Sequence, residues 1–204
     1  MSDIKYMLKP EWVSWDEVQD CQRASHEVNN KKGFHMTCQD LTGEELRLSI
    51  GDGMCFVALD GEKVIGTTSV KFLHQNRWWN KGLRVAYYCY AGVLPGYKDE
   101  NVFLNLVELR DEYLKTEKYD MIQTNTAEDN VLVQKLNLRR GFKYVQFSAS
   151  GKGPQFDYYS VIMAKWIHGC PYSDFYCNFM FKLSKVIIKT LWKPGYRLRI
   201  PFVR

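Results

Sequence analysis

The chain has 204 residues, of which 46% are hydrophobic and 25% are charged, and this composition excludes a disordered or collagen-like chain. Its length suits one well-buried domain and is short for two. The N-terminus lacks the pattern of a signal peptide, and no run of about 18 apolar residues suggests a membrane-spanning helix. We therefore expect a cytoplasmic protein in a reducing environment.

The formal net charge of +5 is concentrated near the C-terminus. Residues 166–204 contain seven Lys or Arg residues and one acidic residue, Asp174, so this segment carries +6 and the residues before it are nearly neutral. A basic segment of this kind suits a nucleic acid or an anionic membrane. Because the stacking aromatic pattern of nucleic-acid-binding modules is missing, no nucleic-acid partner is predicted.

The six cysteines have no C-x-x-C spacing and no accompanying histidine cluster. A structural zinc site needs four closely spaced Cys or His ligands, so no metal site is predicted. Cys55 and Cys89 lie in apolar runs typical of strands, and we expect buried thiols at both positions.

The first 50 residues predict a short strand and two helices. The strand is Ile4–Leu8. From Ser14 to Lys31 apolar residues recur with helical spacing, and Glu17 stands three residues after Ser14, as in a capping box. The second helix is predicted from Glu44 to Ile50.

The middle of the chain predicts a hairpin and a long strand. Met54–Leu59 and Lys63–Leu73 are strand-like and are joined by Asp60-Gly61, a strong hairpin signal. A turn with two tryptophans, His74 to Gly82, follows. Leu83–Val93 is then a strand in which nearly all residues are apolar or tyrosine.

After Val93 the pattern changes to alternating helices and strands. A polar loop and an amphipathic helix lead to a strand at Tyr119–Thr124, and a second helix ends at Gly141-Phe142. Two further strands follow, Phe142–Ala149 and Phe156–Trp166. Hairpins followed by a strand–helix–strand crossover predict an α/β fold with a mixed sheet, antiparallel at first and parallel at the crossover.

The last predicted element is an amphipathic helix from Asp174 to Trp192, followed by a basic and apolar tail, Tyr196–Val203. Apolar residues recur in it every three or four positions, and four lysines form a separate stripe: Lys182, Lys185, Lys189 and Lys193. This pattern is typical of a helix at a membrane surface, so residues 174–204 are a candidate peripheral membrane contact at its inner face. The alternatives are a helix docked on the sheet and a helix that joins two copies in a homodimer.

Three motifs stand in a fixed order along the chain. They are the hairpin Met54–Leu73, the strand end Val93-Leu94-Pro95 with Tyr97-Lys98 after it, and the segment from Asn130 to Gly141-Phe142. Together with the order of the elements, they resemble the GNAT superfamily of acyl-CoA-dependent N-acyltransferases.

The resemblance covers residues 1–166 and leaves 167–204 as a basic amphipathic extension. It implies a GNAT-like mixed, mostly antiparallel sheet with a central splayed parallel strand pair, flanked by helices. The extension adds a C-terminal helix to this architecture.

The resemblance also implies a site for acetyl-CoA or another acyl-CoA as co-substrate. In that family the pantetheine arm pairs with the central strand as an added strand would. This role falls on the backbone of Ala91, Val93 and Leu94. A backbone N–H in the same place would polarise the thioester carbonyl.

The family's pyrophosphate loop, a basic residue followed by two glycines, falls on residues 98–103. Lys98 matches the basic position and Val102 lies between the two replaced glycines. Asn101 tolerates a positive φ, whereas the bulky Phe103 would block close approach to phosphate if it pointed at the ligand. Asn130 matches an asparagine that contacts the cofactor, and it is equally a candidate helix cap.

Two catalytic positions of the family are also changed. The tyrosine that protonates the leaving thiolate in many members is replaced by Asn137, which hydrogen-bonds to sulfur but is no general acid. The central strand offers no carboxylate, so Tyr88 and Tyr90 are candidate bases, with Tyr87, His74 or a water chain as alternatives. Strand alternation predicts Tyr88 and Tyr90 on one face and Tyr87 on the other.

The predicted function is transfer of an acyl group, in the simplest case acetyl, from acyl-CoA to the amine of a small molecule such as an amino sugar or glycan precursor. Residues 26–42 and the turn His74 to Trp79 would shape the acceptor side. Two alternatives remain open. One is a catalytically inactive GNAT-like binding or scaffold protein, and the other is an acyltransferase with a donor other than CoA.

Overall fold

The computed structural model describes residues 3–31, 40–150 and 158–191. The chain divides into two compact units. The first unit comprises Met1–Asn76 and Asn80–Asp120, and the second comprises Arg77–Trp79 and Met121–Arg204. Within the described ranges, no helix is long and apolar enough to cross a membrane.

The first unit contains four antiparallel strands in chain order, each paired with the next. They are β1 Ile4–Leu8, β2 Met54–Asp60, β3 Lys63–His74 and β4 Arg84–Val93. Its helices are α1 Trp15–Lys31, α2 Gly43–Ile50, the 3-10 helix η1 Pro95–Glu100 and α3 Val102–Leu114.

Two glycines show that α1 and α3 pack on opposite faces of this sheet. A Cβ on Gly66 of β3 would lie 2.8 Å from Val102 Cγ1 on α3, and a Cβ on Gly92 of β4 would lie 2.1 Å from Ser25 Oγ on α1. Gly66 faces Val93 in the β3–β4 register, so it is one step out of phase with Gly92. Since successive side chains point to opposite faces, the two helices approach from opposite sides.

Helices α1 and α2 begin at capping boxes. Ser14 Oγ accepts from the Glu17 N–H at 3.2 Å, and the Glu17 carboxylate accepts from the Ser14 N–H at 2.7 Å. Thr42 and Glu45 form the same reciprocal pair at the start of α2. Each box satisfies two N–H groups that a helix start leaves without intrahelical partners, and the box predicted at Ser14 is confirmed.

The alternation predicted for the tyrosines of β4 is wrong. Between the pairs Ser69–Cys89 and Thr67–Gly92, two residues of β4 face one residue of β3, and Tyr90 has a φ of 51°. This is a β-bulge, and it reverses the faces that later side chains occupy. As a result Tyr90 shares a face with Tyr87, because the Nζ of Lys71 lies 5.6 Å from the ring centroid of each.

In its described residues, the second unit contains three strands and two helices. Its elements are β5 Met121–Ala127, α4 Val131–Arg139, β6 Lys143–Ser150, β7 Tyr158–Trp166 and α5 Asp174–Leu191. β7 pairs antiparallel with both β5 and β6. The strand predicted at Tyr119–Thr124 is therefore real but begins two residues later and extends to Ala127.

Helix α5 is docked on the sheet of the second unit, in agreement with one of the alternatives drawn from the sequence. Ser184 Oγ accepts a hydrogen bond of 2.8 Å from the Phe147 N–H of β6. The Phe181 ring stacks on Tyr144 with centroids 4.8 Å apart. Buried Cys177 and Ile188 lie on the same side of the helix. The predicted tail Tyr196–Val203 lies outside the described residues.

Candidate functional site

The end of β4 is held to β3 by the backbone of Leu94. The Leu94 N–H donates to the Ile65 carbonyl at 2.9 Å, and the Leu94 carbonyl accepts from the Tyr97 N–H at 3.0 Å. Both polar backbone groups of Leu94 are therefore engaged within the first unit. Because its N–H is used by β3 and its carbonyl keeps a second lone pair, the pairing of Leu94 with a pantetheine arm stays a prediction.

Val93 remains the backbone candidate at this strand end. The register places Ile65 opposite Leu94 and Gly66 opposite Val93. In an antiparallel pair, hydrogen-bonded and non-hydrogen-bonded residue pairs alternate. Because Leu94 is bonded to β3, the N–H and C=O of Val93 point to the opposite edge of β4, which is the orientation that strand-like pairing with a ligand needs. Ala91 lies two residues earlier and forms the bulge together with Tyr90.

The loop after β4 forms a short helix and a left-handed cap. Lys98 lies in η1, and Asn101 has φ 56° and ψ 17° immediately before α3. This φ agrees with the expectation that Asn101 tolerates the positive φ of a missing glycine. Asparagine is one of the few non-glycine residues that reach this region at modest cost.

The start of α3 carries no side-chain cap and no acidic residue in its first turn. Val102 is buried and Phe103 is half-buried. The first N–H groups of a helix have no intrahelical acceptor and lie at the positive end of the helix dipole. The backbone N–H groups at the N-terminus of α3 thus match those of an anion site, whereas Asp99 and Glu100, directly before Asn101, oppose an anion there.

Two contacts fix the position of this loop and were not predicted from the sequence. Gly66 lets Val102 and Leu106 of α3 pack directly on β3. The hydroxyl of Tyr97 donates to Asp60 Oδ2 at 2.7 Å, which ties η1 to the β2–β3 turn. Their sequence signal is weak, since both contacts join residues more than 35 positions apart.

Tyr88 belongs to a packed polar cluster under α3. Its ring lies 3.4 Å from the guanidinium carbon of Arg110, and its hydroxyl donates to Asp111 Oδ1 at 2.9 Å. Arg110 is 3% exposed and donates to Thr68 Oγ1 at 3.1 Å. These contacts give Tyr88 a packing role on the α3 face, on the other side of the sheet from Tyr90.

Tyr90 lies on the face covered by α1 and α2. Its hydroxyl is 2.6 Å from Ser49 Oγ of α2. Its carbonyl accepts a hydrogen bond of 2.5 Å from Gln22 Nε2 of α1, and the same amide donates to Thr67 Oγ1. Gln22 is fully buried. The sequence did not predict this contact, because a glutamine in a helical pattern is usually assigned to the exposed face.

Asn130 and Asn137 belong to the second unit, where Asn130 precedes α4 and Asn137 lies within it. The Asn130 side chain accepts from the Val133 N–H at 3.4 Å, so its capping role is confirmed. Asn137 is buried, and its carbonyl accepts from the N–H groups of Arg140 and Phe142, each at 3.0 Å. These bonds end α4 at the predicted Gly141-Phe142 and fix the Asn137 backbone.

The two tryptophans of the predicted acceptor turn have different environments. Trp79 is buried, and its indole N–H donates to Gln123 Oε1 at 3.1 Å. Trp78 is half-buried, with edge contacts to Tyr172 and Tyr176 at 5.2 and 5.3 Å. Of the other predicted acceptor segment, residues 32–39 lie outside the described part of the chain.

Burial governs the chemistry of the thiols in the first unit. It raises the pKa of Cys21 to about 12 and the pKa of Cys55 to about 11. Both thiols stay protonated at neutral pH, and a protonated thiol is a poor nucleophile. In the described residues, no three potential His, Cys, Asp or Glu metal ligands cluster together.

No family model matches the sequence, and no curated protein sequence matches it. Solved structures do. The fold resembles a probable acetyltransferase from Staphylococcus epidermidis with a TM-score of 0.61 and 14% identity, over 80% of this chain and 99% of that chain. The ribosomal-protein-S18-alanine N-acetyltransferase from Escherichia coli aligns with a TM-score of 0.60 and 12% identity, over 80% and 94% of the two chains.

An acetyltransferase of the GNAT family from Streptococcus pneumoniae aligns with a TM-score of 0.56 and 13% identity, over 80% of this chain and all of that chain. At such low identity the likeness concerns the fold. The predicted fold class, α/β with a mixed, mostly antiparallel sheet flanked by helices, is confirmed. The chain has the GNAT fold of these acetyltransferases.

Proposed function

We propose that the protein is an N-acyltransferase that moves an acyl group, in the simplest case acetyl, from acyl-CoA to the amine of a small molecule. The observation that carries the proposal is the geometry after β4. The strand end at Val93 is followed by a left-handed Asn101 and by an α3 N-terminus without a side-chain cap. In the GNAT fold, this arrangement of a strand end and a helix N-terminus is the site of acyl-CoA binding.

The first N–H groups of α3 are proposed to hold the pyrophosphate. Helix N-termini bind phosphate through backbone N–H groups and the helix dipole. Asn101 keeps the left-handed turn that the family's glycine would provide, and Lys98 would add a positive charge. Phe103 is proposed to restrict how closely the phosphates approach, so we expect weaker CoA binding than a glycine-containing loop gives.

In the proposed reaction the amine nitrogen attacks the thioester carbonyl carbon. A C–N bond forms, the C–S bond breaks, the amine loses a proton to a base, and the thiolate of CoA takes up a proton. The Val93 N–H would stabilise the oxyanion of the intermediate. The thiolate would then be protonated by water.

Tyr90 is the better-supported candidate for proton removal. Its hydroxyl is paired with Ser49 at 2.6 Å, and Lys71 lies 5.6 Å from its ring centroid. The Tyr88 hydroxyl is instead bonded to Asp111. The hydroxyl pair would serve as a proton relay, in which the Tyr90 oxygen takes the amine proton and passes its own proton to Ser49. We therefore assign the base to Tyr90 and a packing role to Tyr88.

The acceptor is proposed to be an amino sugar or a glycan precursor. The half-buried Trp78 with Tyr172 and Tyr176 supports an aromatic acceptor surface, because aromatic faces stack on apolar sugar faces. A scaffold protein without catalysis is the second candidate, favoured by Asn137 at the position of the family's tyrosine. A donor other than CoA is the third, favoured by Phe103.

Thermal unfolding with and without acetyl-CoA separates these candidates. At about 100 times the dissociation constant, a ligand stabilises the native state by about 2.7 kcal/mol, which raises Tm by several degrees in a chain of this size. Stabilisation together with CoA release in the presence of amino sugars supports the enzyme. Stabilisation without turnover of any amine supports the scaffold, and no stabilisation by acetyl-CoA or longer acyl-CoAs overturns CoA binding.

A further inference from the structure

Helix α5 has an apolar stripe that faces solvent, on the side away from β6. It consists of residues spaced three or four apart: Phe175, Phe179, Leu183 and Val186, which are 81%, 50%, 41% and 62% exposed. At about 100° per residue, the four side chains fall within an arc of about 80°. We call this set the α5 stripe.

The α5 stripe is separate from the residues that dock the helix. Cys177 and Ile188 are buried, and Ser184 is bonded to Phe147. The helix therefore has two apolar sides, and its contact with β6 uses only one of them. A set of large apolar side chains exposed along about three turns is unusual on a monomeric surface and marks an interaction site.

Cations border the α5 stripe on one side. Lys182 is exposed and lies next to Phe175 and Phe179 in the helical projection. Lys185 and Lys189 lie further round, and both bind Glu128 Oε1, at 2.7 and 2.9 Å. Two lysines on one carboxylate leave a local positive charge at this border.

The sequence around the stripe has almost no negative charge. Asp174 is the one acidic residue in 166–204, and its carboxylate is held by Lys143 at 2.5 Å. Beyond α5, residues 192–204 add four cations and no anion. A partner that matches the α5 stripe therefore has an apolar region for the four apolar side chains and negative charge for the cations beside them.

We propose that the α5 stripe docks the protein on an anionic membrane surface. Phe175, Phe179, Leu183 and Val186 enter the boundary between headgroups and acyl chains, while Lys182 and the neighbouring cations contact anionic headgroups. A second copy of the chain is disfavoured because a twofold contact through this stripe would bring two +6 segments together. The proposal goes beyond acyl transfer and does not depend on it.

Co-sedimentation of the full chain with lipid vesicles tests this proposal. The protein should bind vesicles of phosphatidylcholine mixed with phosphatidylglycerol and should bind pure phosphatidylcholine vesicles much more weakly. Raising the salt from about 0.1 M to about 1 M shortens the Debye length from about 10 Å to about 3 Å, so binding to the mixed vesicles should fall.

The double variant Phe175→Ser/Phe179→Ser should lower the vesicle partition coefficient by at least about tenfold, since burial of two rings is lost. The matched control is Leu48→Ser/Leu132→Ser, which removes two exposed apolar residues from α2 and α4 and should leave binding unchanged. Both pairs are exposed, so folding is retained, as circular dichroism would check.

Three results would overturn the proposal. One is vesicle binding that the Phe175→Ser/Phe179→Ser variant leaves intact, which would place the lipid contact elsewhere. Another is equal binding to neutral and anionic vesicles. The last is a dimer in light scattering that the variant converts to a monomer without any vesicle binding, which would make the stripe a contact between two copies.

Discussion

The hydroxyl of Tyr88 donates to Asp111 across the interface of β4 and α3, at 2.9 Å. Arg110 of α3 also contacts Tyr88, with its guanidinium carbon 3.4 Å from the centroid of the Tyr88 ring. A buried arginine is tolerated only when its donors and charge are satisfied, and here the ring, Thr68 and Asp111 contribute to that. Tyr88 is thus part of what keeps α3 in place behind the candidate phosphate site.

Replacing Tyr88 by Phe should therefore affect stability and leave chemistry nearly unchanged. The variant loses a hydrogen bond to a carboxylate, at a cost of about 1–3 kcal/mol, which urea unfolding would measure. Under the proposed function, Tyr90→Phe is the contrasting variant, with kcat lowered by at least about tenfold. If Tyr88→Phe instead loses kcat while Tyr90→Phe retains it, the two assignments must be exchanged.

Gly92 should be intolerant of any side chain. A Cβ there would lie 2.1 Å from Ser25 Oγ and 2.9 Å from Ser25 Cβ on α1. Since α1 must move to accept a methyl group, Gly92→Ala should cost about 1–3 kcal/mol in chemical unfolding. Gly96→Ala is the matched control, because a Cβ at Gly96 meets nothing within 4 Å. The further change Ser25→Gly should recover part of the loss.

The sequence predicts the local elements of this fold well, because their signals are local. The hairpin at Asp60-Gly61 and the capping box of Ser14 and Glu17 need residues at most three positions apart, and both are present. The bulge at Tyr90 is different. The Tyr90 carbonyl in this bulge accepts a hydrogen bond from Gln22, which is 68 positions away. The sequence of β4 itself does not predict the bulge.

The candidate site shows the same division. The tolerance of Asn101 for a left-handed conformation follows from its residue type and is predictable from the sequence. The engagement of Leu94 by Ile65 depends on the register of β3 and β4, which a single sequence does not determine to one residue. Residue type therefore predicts which positions tolerate an unusual backbone conformation. The strand register determines which backbone N–H and C=O groups are already hydrogen-bonded within the sheet.

Asn101 provides a direct test of the phosphate loop. With φ at 56°, a β-branched residue there is strained by about 1–2 kcal/mol, whereas glycine is not strained. Asn101→Gly should keep or strengthen acetyl-CoA binding, and Asn101→Val should weaken it, as isothermal titration calorimetry would show. Equal affinities for both variants at equal stability would mean that the turn before α3 does not shape the ligand site.

The buried thiols predict how stability changes at alkaline pH. The pKa of Cys21 rises to about 12 and that of Cys55 to about 11 through burial, from an ordinary value of 9.0. Unfolded chains lose these protons above pH 9.0, whereas the native state retains them up to the folded pKa. The stability from both thiols is complete below pH 9.0 and is lost as pH rises toward about 12.

Urea unfolding of Cys21→Ala and Cys55→Ala variants across this range checks the sign. Each variant should lose less stability than the wild type between pH 9.0 and about 11. Iodoacetamide should label neither thiol in the native protein near pH 9.0 and should label both in denaturant. Rapid native labelling of either thiol would contradict its burial.

Glu128 joins the stability of α5 to its charge. Burial raises the pKa of this carboxyl group, but hydrogen bonds and charge from Lys185 and Lys189 outweigh burial and hold the pKa below its ordinary value of 4.5. The resulting stabilisation is present above pH 4.5 and is lost as pH falls through the folded pKa. Glu128→Gln should therefore cost up to about 1 kcal/mol at neutral pH and much less in acid, as urea unfolding would measure.

The same substitution should act in the opposite direction on membrane binding. Glu128→Gln removes one negative charge and releases two lysines next to the α5 stripe, so affinity for anionic vesicles should rise at low salt. Glu112→Gln is the matched control, because its partner Lys115, at 2.6 Å from the carboxylate, is an exposed residue at the end of α3, away from α5 in the sequence. A variant that loses stability and also loses vesicle affinity would show that the docked geometry of α5, and not its charge, governs the contact.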